Sequence, residues 1–225
     1  MKKRASLPTL KIEEEIRNGG FKFICGIDEA GRGALAGPLV AAAVILPRRK
    51  MRGINDSKKL SKAQRNRIFE KISRKAISWG VGITNIDEIN LYGIQTATYL
   101  AYHRAIKSLK IKPDFLMIDH YRLPGTSLPQ VSLTHGDQRS LSIAAASIVA
   151  KETRDRLMEK MGRQKEFKKY GFTRNFGYGT KFHQVKIRET GVSRIHRLKF
   201  VSGSFENQAT FDFFKIKTKG GKNGN

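Results

Sequence analysis

Eight consecutive residues, LVAAAVIL from Leu39 to Leu46, contain no polar position. A strand with one wet face alternates apolar and polar residues, so a run without alternation reads as a strand buried on both faces. It is far shorter than the roughly 20 residues needed to span a bilayer. Pro38 opens it. Four further stretches have strand composition: FKFICGI (21–27), WGVGIT (79–84), DFLMID (114–119) and VSLTHGD (131–137). Helical patterns lie between and after them. In INDSKKLSKAQRNRIFEKISRKA (54–76), Ser61 is positioned as an N-cap, and Ile68, Ile72 and Ile77 fall roughly on one face. IDEINLYGIQTATYLAYHRAIKSL (86–109) is a long amphipathic helix. RSLSIAAASIVAKETRDRLMEKM (139–161) carries Ala144, Ala145, Ala146 and Ser147, small enough to let a helix approach a sheet closely. Strands alternating with helices predict an α/β sheet.

Outside this pattern, residues 1–20 form a charged leader with a short helix in LKIEEEIRN. Residues 170–191 are a basic loop rich in glycine and aromatics, followed by a short helix. Beyond Phe200 the pattern weakens; residues 206–225 read as a partly disordered tail, whose end, KIKTKGGKNGN (215–225), has the composition of a disordered basic segment. The expected division is leader 1–20, one catalytic domain 21–205 and tail 206–225.

Lys and Arg number 44 against 19 Asp and Glu, a net charge of +25. That imbalance points to a polyanionic partner, nucleic acid before others. The single cysteine, Cys25, excludes an intrachain disulfide and a cysteine-built zinc site, and its apolar surroundings predict a core residue. The basic start lacks the apolar core of a signal peptide. A cytoplasmic monomer, not associated with membrane, is the expectation.

Against this basic background four acids stand out. Asp28, Glu29, Asp119 and Asp137 each follow a strand-like apolar run. Strand ends gather at one rim of such a sheet, where ligands bind. Turns favour Asp for their own reasons, which is the competing explanation for any one of these residues. Several carboxylates at one rim repel each other unless a cation lies between them. Mg²⁺ or Mn²⁺ suits hard oxygen ligands, and a pair of ions can hold both the attacking and the leaving oxygen of a phosphodiester. Neighbours on a strand point to opposite faces. Asp28 and Glu29 therefore share a site only if the strand ends or bends there, a bend that Gly31 and Gly33 would permit. GRGALAG also matches a loose dinucleotide-binding fingerprint, but that motif must open a helix, and here Pro38 and a strand follow.

The segments GIDEAGRGALAGPLVAAAVIL, NDSKKLS, FLMID, GDQRSLSIAAASIVAKETRDRLM, GYGTKFH and IHRLKF occur in this order. Together they closely resemble the type 2 ribonuclease H family, ribonuclease HII, from about Phe21 to Phe205. The resemblance implies a ribonuclease H-like fold: a mixed five-stranded sheet flanked by helices, with a C-terminal helical portion. It implies metal-dependent cleavage of the RNA strand of RNA·DNA hybrids and incision at single ribonucleotides in duplex DNA. The family's acidic metal site falls on Asp28, Glu29, Asp119 and Asp137, expected to hold two Mg²⁺ or Mn²⁺ ions. Its junction-sensing segment falls on Gly31, Arg32 and Gly33, and its substrate-sensing tyrosine on Tyr178. Ser57, Lys58, Ser147 and Lys181 are further candidates for phosphate contact. The family often has a tyrosine where this chain has Phe167. In the tail, QATFDFF resembles a sliding-clamp-binding peptide, with Gln208, Phe211 and Phe213 as anchors; phenylalanines packing back on the domain is the alternative.

Overall fold

The computed structural model describes residues 7–49 and 51–204. The apolar run forms strand β2 (Leu39–Ile45), and all of its residues are buried. It pairs antiparallel with β1 (Ile24–Ala30) on one side and β3 (Ser78–Thr84) on the other. β4 (Phe115–Asp119) lies parallel to β1, and β5 (Gln130–Leu133) parallel to β4. The result is the expected mixed five-stranded sheet, in the order β3-β2-β1-β4-β5.

Alternate residues of β2 feed two separate cores. Ala42 and Val44 pack with Ala144, Ala145 and Ile148 of the central helix α4 (Leu141–Gly162), and with Ile72 of α2 (Lys62–Lys75). Leu39, Ala41, Ala43 and Ile45 pack on the other face with Ala97, Ala101 and Tyr102 of α3 (Ile86–Lys107). Each fully buried Val, Leu or Ile contributes about 1.5–3 kcal/mol, which is why the run admits no polar residue. The small residues of α4 do bring it close. A Cβ at Gly26 of β1 would lie 2.2 Å from the backbone carbon of Ser142.

α2 begins as expected. The Ser61 side chain accepts from Gln64 N–H, and the Gln64 side chain accepts from Ser61 N–H, a complete capping box. Ile72 is buried and Ile68 packs beside it, but Ile77 does not share that face. The helix stops at Lys75, and Ile77 instead donates its N–H to Ile45 O and leaves its side chain 44% exposed. α3 is broken at Gly93, whose φ of 78° and ψ of 165° are not helical.

The segment before β1 contains α1 (Lys11–Asn18), which docks on the start of α4. Its buried Glu13 accepts hydrogen bonds from Ser140 Oγ (2.7 Å) and Ser142 N–H (2.9 Å). A carboxylate there satisfies otherwise orphaned donors at a helix start. The C-terminal portion comprises α5 (Phe172–Asn175), α6 (Lys181–Thr190) and α7 (Leu198–Gly203), so helix continues past Phe200. Its Phe167, Tyr170, Phe172, Ile187 and Val201 form a further core together with Leu35 and Ala36 of the β1–β2 loop and Met158 of α4. Gln208, Phe211 and Phe213, with the rest of 206–225, lie outside the described residues. Among those described, no helix is long and apolar enough to cross a membrane.

Candidate active site

The site forms where β1 outruns its neighbour. β1 pairs with β2 as far as Ala30↔Val40, but its pairing with β4 ends at Ile27↔Ile118, and β4 itself ends at Asp119. Past Ile27 one edge of β1 is open. The bend expected at Asp28 and Glu29 is absent, because β1 stays extended through Ala30 and turns only at Gly31, with φ of 92°. The two acids accordingly leave opposite faces. Asp28 shares the parity of Ala30, which packs among the alanines of α4. Glu29 shares that of Ile27, on the α3 side, and accepts a hydrogen bond from the buried Tyr102 hydroxyl. Both still line one cleft of about 430 Å³, because the missing strand edge exposes them to the same space. Asp119 lines it too, and accepts from Gly136 N–H (2.7 Å), which draws the turn bearing buried Asp137 to the end of β4.

Three of these acids are pushed up by burial and by neighbouring carboxylates. Burial pushes Asp28 well above the usual carboxylate range, and Glu29, Asp119 and Asp137 push it further, against one stabilising bond from Glu29 N–H. Burial also raises Glu29, with Asp119 adding to it, although Tyr102 and Arg32 pull the other way. Asp137 is raised by burial, then by Asp56 and Asp119. Perturbed carboxylates in a cleft mark functional sites. Hard oxygen donors that repel one another are the donor set a divalent cation of the Mg²⁺ or Mn²⁺ type prefers. Among the described residues no three His, Cys, Asp or Glu side chains already enclose a single ion, so the carboxylates share a rim without forming a closed cage.

Polar and basic groups line the remainder of the cleft. Ser57 Oγ and Ser147 Oγ are 2.7 Å apart and buried, and Lys58 stands 3.9 Å from Asp137. Burial works against the charge on Lys58, but Asp137, Asp56, Asp28 and Asp119 together hold its pKa above normal. Arg32 donates to Gln95 Oε1 (2.5 Å) and lies 4.5 Å from the centre of the Tyr121 ring. Tyr178 also lines the cleft, with the Lys151 ammonium 5.2 Å and the Arg154 guanidinium 5.0 Å from its ring centre. Cations at such distances are attracted by the ring quadrupole. Gly33 and Lys181 are not among the cleft-lining residues; Lys181 is an exposed residue in the first turn of α6.

Two buried arginines shape the loop between β1 and β2. Arg154 donates to Pro38 O (2.9 Å), Ala36 O (3.1 Å) and Phe176 O (2.9 Å). Arg197 donates to Gly37 O (2.9 Å), Gly31 O (2.7 Å) and Arg32 O (3.1 Å). Gly177 O receives Leu35 N–H and Ala36 N–H, so the loop and the Tyr178 turn are bonded to each other. Gly31 must be glycine: a Cβ there would sit 1.9 Å from Arg154 Nε. Tyr102, Lys151, Arg154 and Arg197 were not singled out from the sequence. Lys151, Arg154 and Arg197 lie inside quoted motifs, but a buried arginine has no local signature that separates it from a surface one. The glycine loop leads into β2 and not into a helix, so the dinucleotide fingerprint has no structural counterpart.

Fold and acid-lined cleft together define an α/β nuclease of the ribonuclease H-like class. Residues 25–203 match the family model described as Ribonuclease HII. The ribonuclease HII of Clostridioides difficile (strain 630) is 46% identical over 202 residues, covering 89% of this chain and 78% of that protein. A solved ribonuclease HII from Archaeoglobus fulgidus, in complex with PCNA, superposes with a TM-score of 0.66 at 25% identity, over 78% of this chain and 94% of that one. A Bst ribonuclease HIII in complex with Mn²⁺ shares the fold at TM-score 0.61 and 20% identity, over 86% and 70% of the two chains. The chain belongs to the ribonuclease HII family and is a ribonuclease H, a phosphodiester-hydrolysing endonuclease.

Proposed function

We propose that this enzyme cleaves the RNA strand of RNA·DNA hybrids and incises on the 5′ side of single ribonucleotides in duplex DNA, leaving 3′-OH and 5′-phosphate ends. The observation that carries the reading is the convergence of Asp28, Glu29 and Asp119 on one cleft of a chain with net charge +25, with Asp137 drawn in beside them. A protein that only bound nucleic acid would have no use for acids facing phosphate. The four carboxylates are the residues that would hold Mg²⁺ or Mn²⁺, two ions in this reading, and family membership and the Mn²⁺-bound structural neighbour support a divalent ion. When bound, such ions supply Lewis-acid stabilisation and a nucleophilic water at neutral pH.

The protein's own groups select and place the substrate. The 2′-OH is both donor and acceptor and separates RNA from DNA. Gly31 and Arg32 line the cleft and Gly33 follows at its edge; their backbone groups are assigned to that hydroxyl, on a loop whose carbonyls are pinned by Arg154 and Arg197. Tyr178 faces the same cleft and offers a hydroxyl to the ribose and a ring face to the next sugar. Ser57, Lys58 and Ser147 contact phosphates there, and Lys181 does so outside the cleft. Lys151, above the Tyr178 ring, adds positive charge on that side. Such an activity suits ribonucleotide excision repair in the cytoplasm, carried out by a monomer. Gln208, Phe211 and Phe213 are assigned to a sliding clamp, a reading supported by the neighbour solved with PCNA. The test of the reaction is a gel assay on a DNA duplex containing one ribonucleotide. Divalent-ion-dependent nicking at that residue is expected, and no nicking with either ion would refute the reading.

A further inference from the structure

Beside the cleft, on the C-terminal portion, lies a second cavity of about 520 Å³, bounded by Lys168, Arg174, Thr173, Thr180 and the Phe182 ring. No acid lines it. Among the described residues neither Lys168 nor Arg174 is in an ion pair, whereas Lys186 nearby is held by Glu189 (2.7 Å) and Arg194 by Glu166 (2.8 Å). Lys165, Lys169 and Lys181 nearby are likewise in no ion pair among the described residues, so the pocket lies within a broader basic surface, and what sets it apart is that two of these cations line one acid-free cavity. Its floor is fixed to the cleft: the Asn175 side chain donates to Tyr170 O (2.7 Å) and accepts from Gly177 N–H (2.8 Å), one residue before Tyr178. Phe182, 53% exposed, forms a wall directly over Gly171, where a Cβ would meet its ring at 2.7 Å.

Tyr178 lines the cleft and Thr180 lines the pocket. Their Cα atoms can be no more than about 7.6 Å apart. The cleft and the pocket therefore adjoin along the Tyr178–Thr180 turn. We infer that the pocket receives backbone phosphates of the substrate duplex flanking the ribonucleotide, with Lys168 and Arg174 as the contacts. The inference rests on the nuclease reading above and adds to it a place where flanking duplex is held. Uncompensated cations, small hydroxyl donors and an exposed aromatic are the groups that grip a nucleic-acid backbone without reading bases.

The test is the dissociation constant of a fluorescent, ribonucleotide-containing duplex, measured in EDTA against salt. The duplex extends about ten base pairs from the ribonucleotide on both sides, or is trimmed to one base pair on one side or the other. Each phosphate contact contributes about 0.9 to the slope of log K against log salt. Lys168→Ala/Arg174→Ala should therefore reduce the slope by about 2 on the long duplex, and the penalty on going from about 50 to about 200 mM salt should shrink roughly tenfold. Wild type should bind one of the trimmed duplexes more weakly than the long one, and the variant should lose that difference. Both side chains are exposed and make no internal ion pair, so the fold is not at stake. Lys107→Ala/Lys110→Ala, which removes equal charge from the exposed last residue of α3 and the segment just after it, serves as control and should leave the difference intact. An unchanged slope, equal wild-type binding of long and trimmed duplexes, or an equal effect in the control would overturn the inference. Wild type that fails to cut any ribonucleotide-containing duplex would instead overturn the nuclease reading.

Discussion

Replacing Gly31 and Gly33 separately by alanine distinguishes a glycine needed by the protein from one needed by its ligand. At Gly31 the backbone has φ of 92°, and an added Cβ would lie 1.9 Å from Arg154 Nε and 2.5 Å from its Cδ. The left-handed conformation costs a residue with a Cβ about 1–2 kcal/mol. The larger loss comes from Arg154, which would have to leave three buried carbonyls; stranding a buried charge costs about 3–5 kcal/mol. The sum is about 4–7 kcal/mol. For a chain of this size that lowers Tm by roughly 10–25 °C, at about 2–4 °C per kcal/mol. At Gly33 an added Cβ meets no atom within 4 Å, so Gly33→Ala should change stability by no more than about 0.5 kcal/mol. The open space beside Gly33 is where the ribose is proposed to approach. A methyl group there should displace it by about an ångström and lower kcat/KM on a single-ribonucleotide duplex by about a hundredfold. Thermal melts and single-turnover cleavage of both variants decide the matter. Equal melting losses at the two positions, or a fully active Gly33→Ala enzyme, would refute the reasoning.

Two further outcomes are expected. The buried His183–His196 pair is joined Nε2 to Nε2 at 3.1 Å, with Ser193 N–H donating to His196 Nδ1 and His183 Nδ1–H donating to Tyr178 O. Burial, then His183, push His196 down to about 3 from an ordinary 6.5. The unfolded chain therefore binds the proton first: this contribution to stability is complete above about pH 6.5 and is lost as pH falls toward 3, at up to about 1.4 kcal/mol per unit. NMR titration should show His196 neutral down to about pH 5, and a midpoint near the ordinary value would contradict the packing. For the tail, wild type should be retained by an immobilised sliding clamp and the Phe211→Ala/Phe213→Ala variant should not; absence of wild-type binding ends that assignment.

Much of the architecture could be read from local pattern because its causes are local. The unbroken run of β2, the Ser61 cap and the small residues of α4 each reflect a constraint carried within a few residues. The strand-end acids were legible for the same reason, since each closes an apolar run. What escaped depends on contacts between distant segments. Ile77 fits the helical period of Ile68 and Ile72, but β3 pairing through Ile45 takes its backbone first. Nothing near Asp28 says that β4 stops short of it, and that open edge, not a bend, lets two neighbouring acids reach one cleft. Arg154 and Arg197 resemble the many surface arginines until their acceptors, the loop carbonyls of residues 31–38, are seen together. Tyr102 is one aromatic among several in α3, and only the fold brings it to Glu29.

The decisive question is whether the acid cluster performs the cutting. Asp28→Asn removes one carboxylate charge from the most crowded position and keeps the shape of the side chain. Incision of a single-ribonucleotide duplex should be measured for both proteins with Mg²⁺ and with Mn²⁺, alongside their melting temperatures. If the cluster cuts, wild type nicks 5′ to the ribonucleotide, Asp28→Asn gives no detectable nick, and the variant melts at the wild-type temperature or higher, because repulsion among the acids is relieved. Wild-type cleavage rates in a folded Asp28→Asn enzyme would contradict that role.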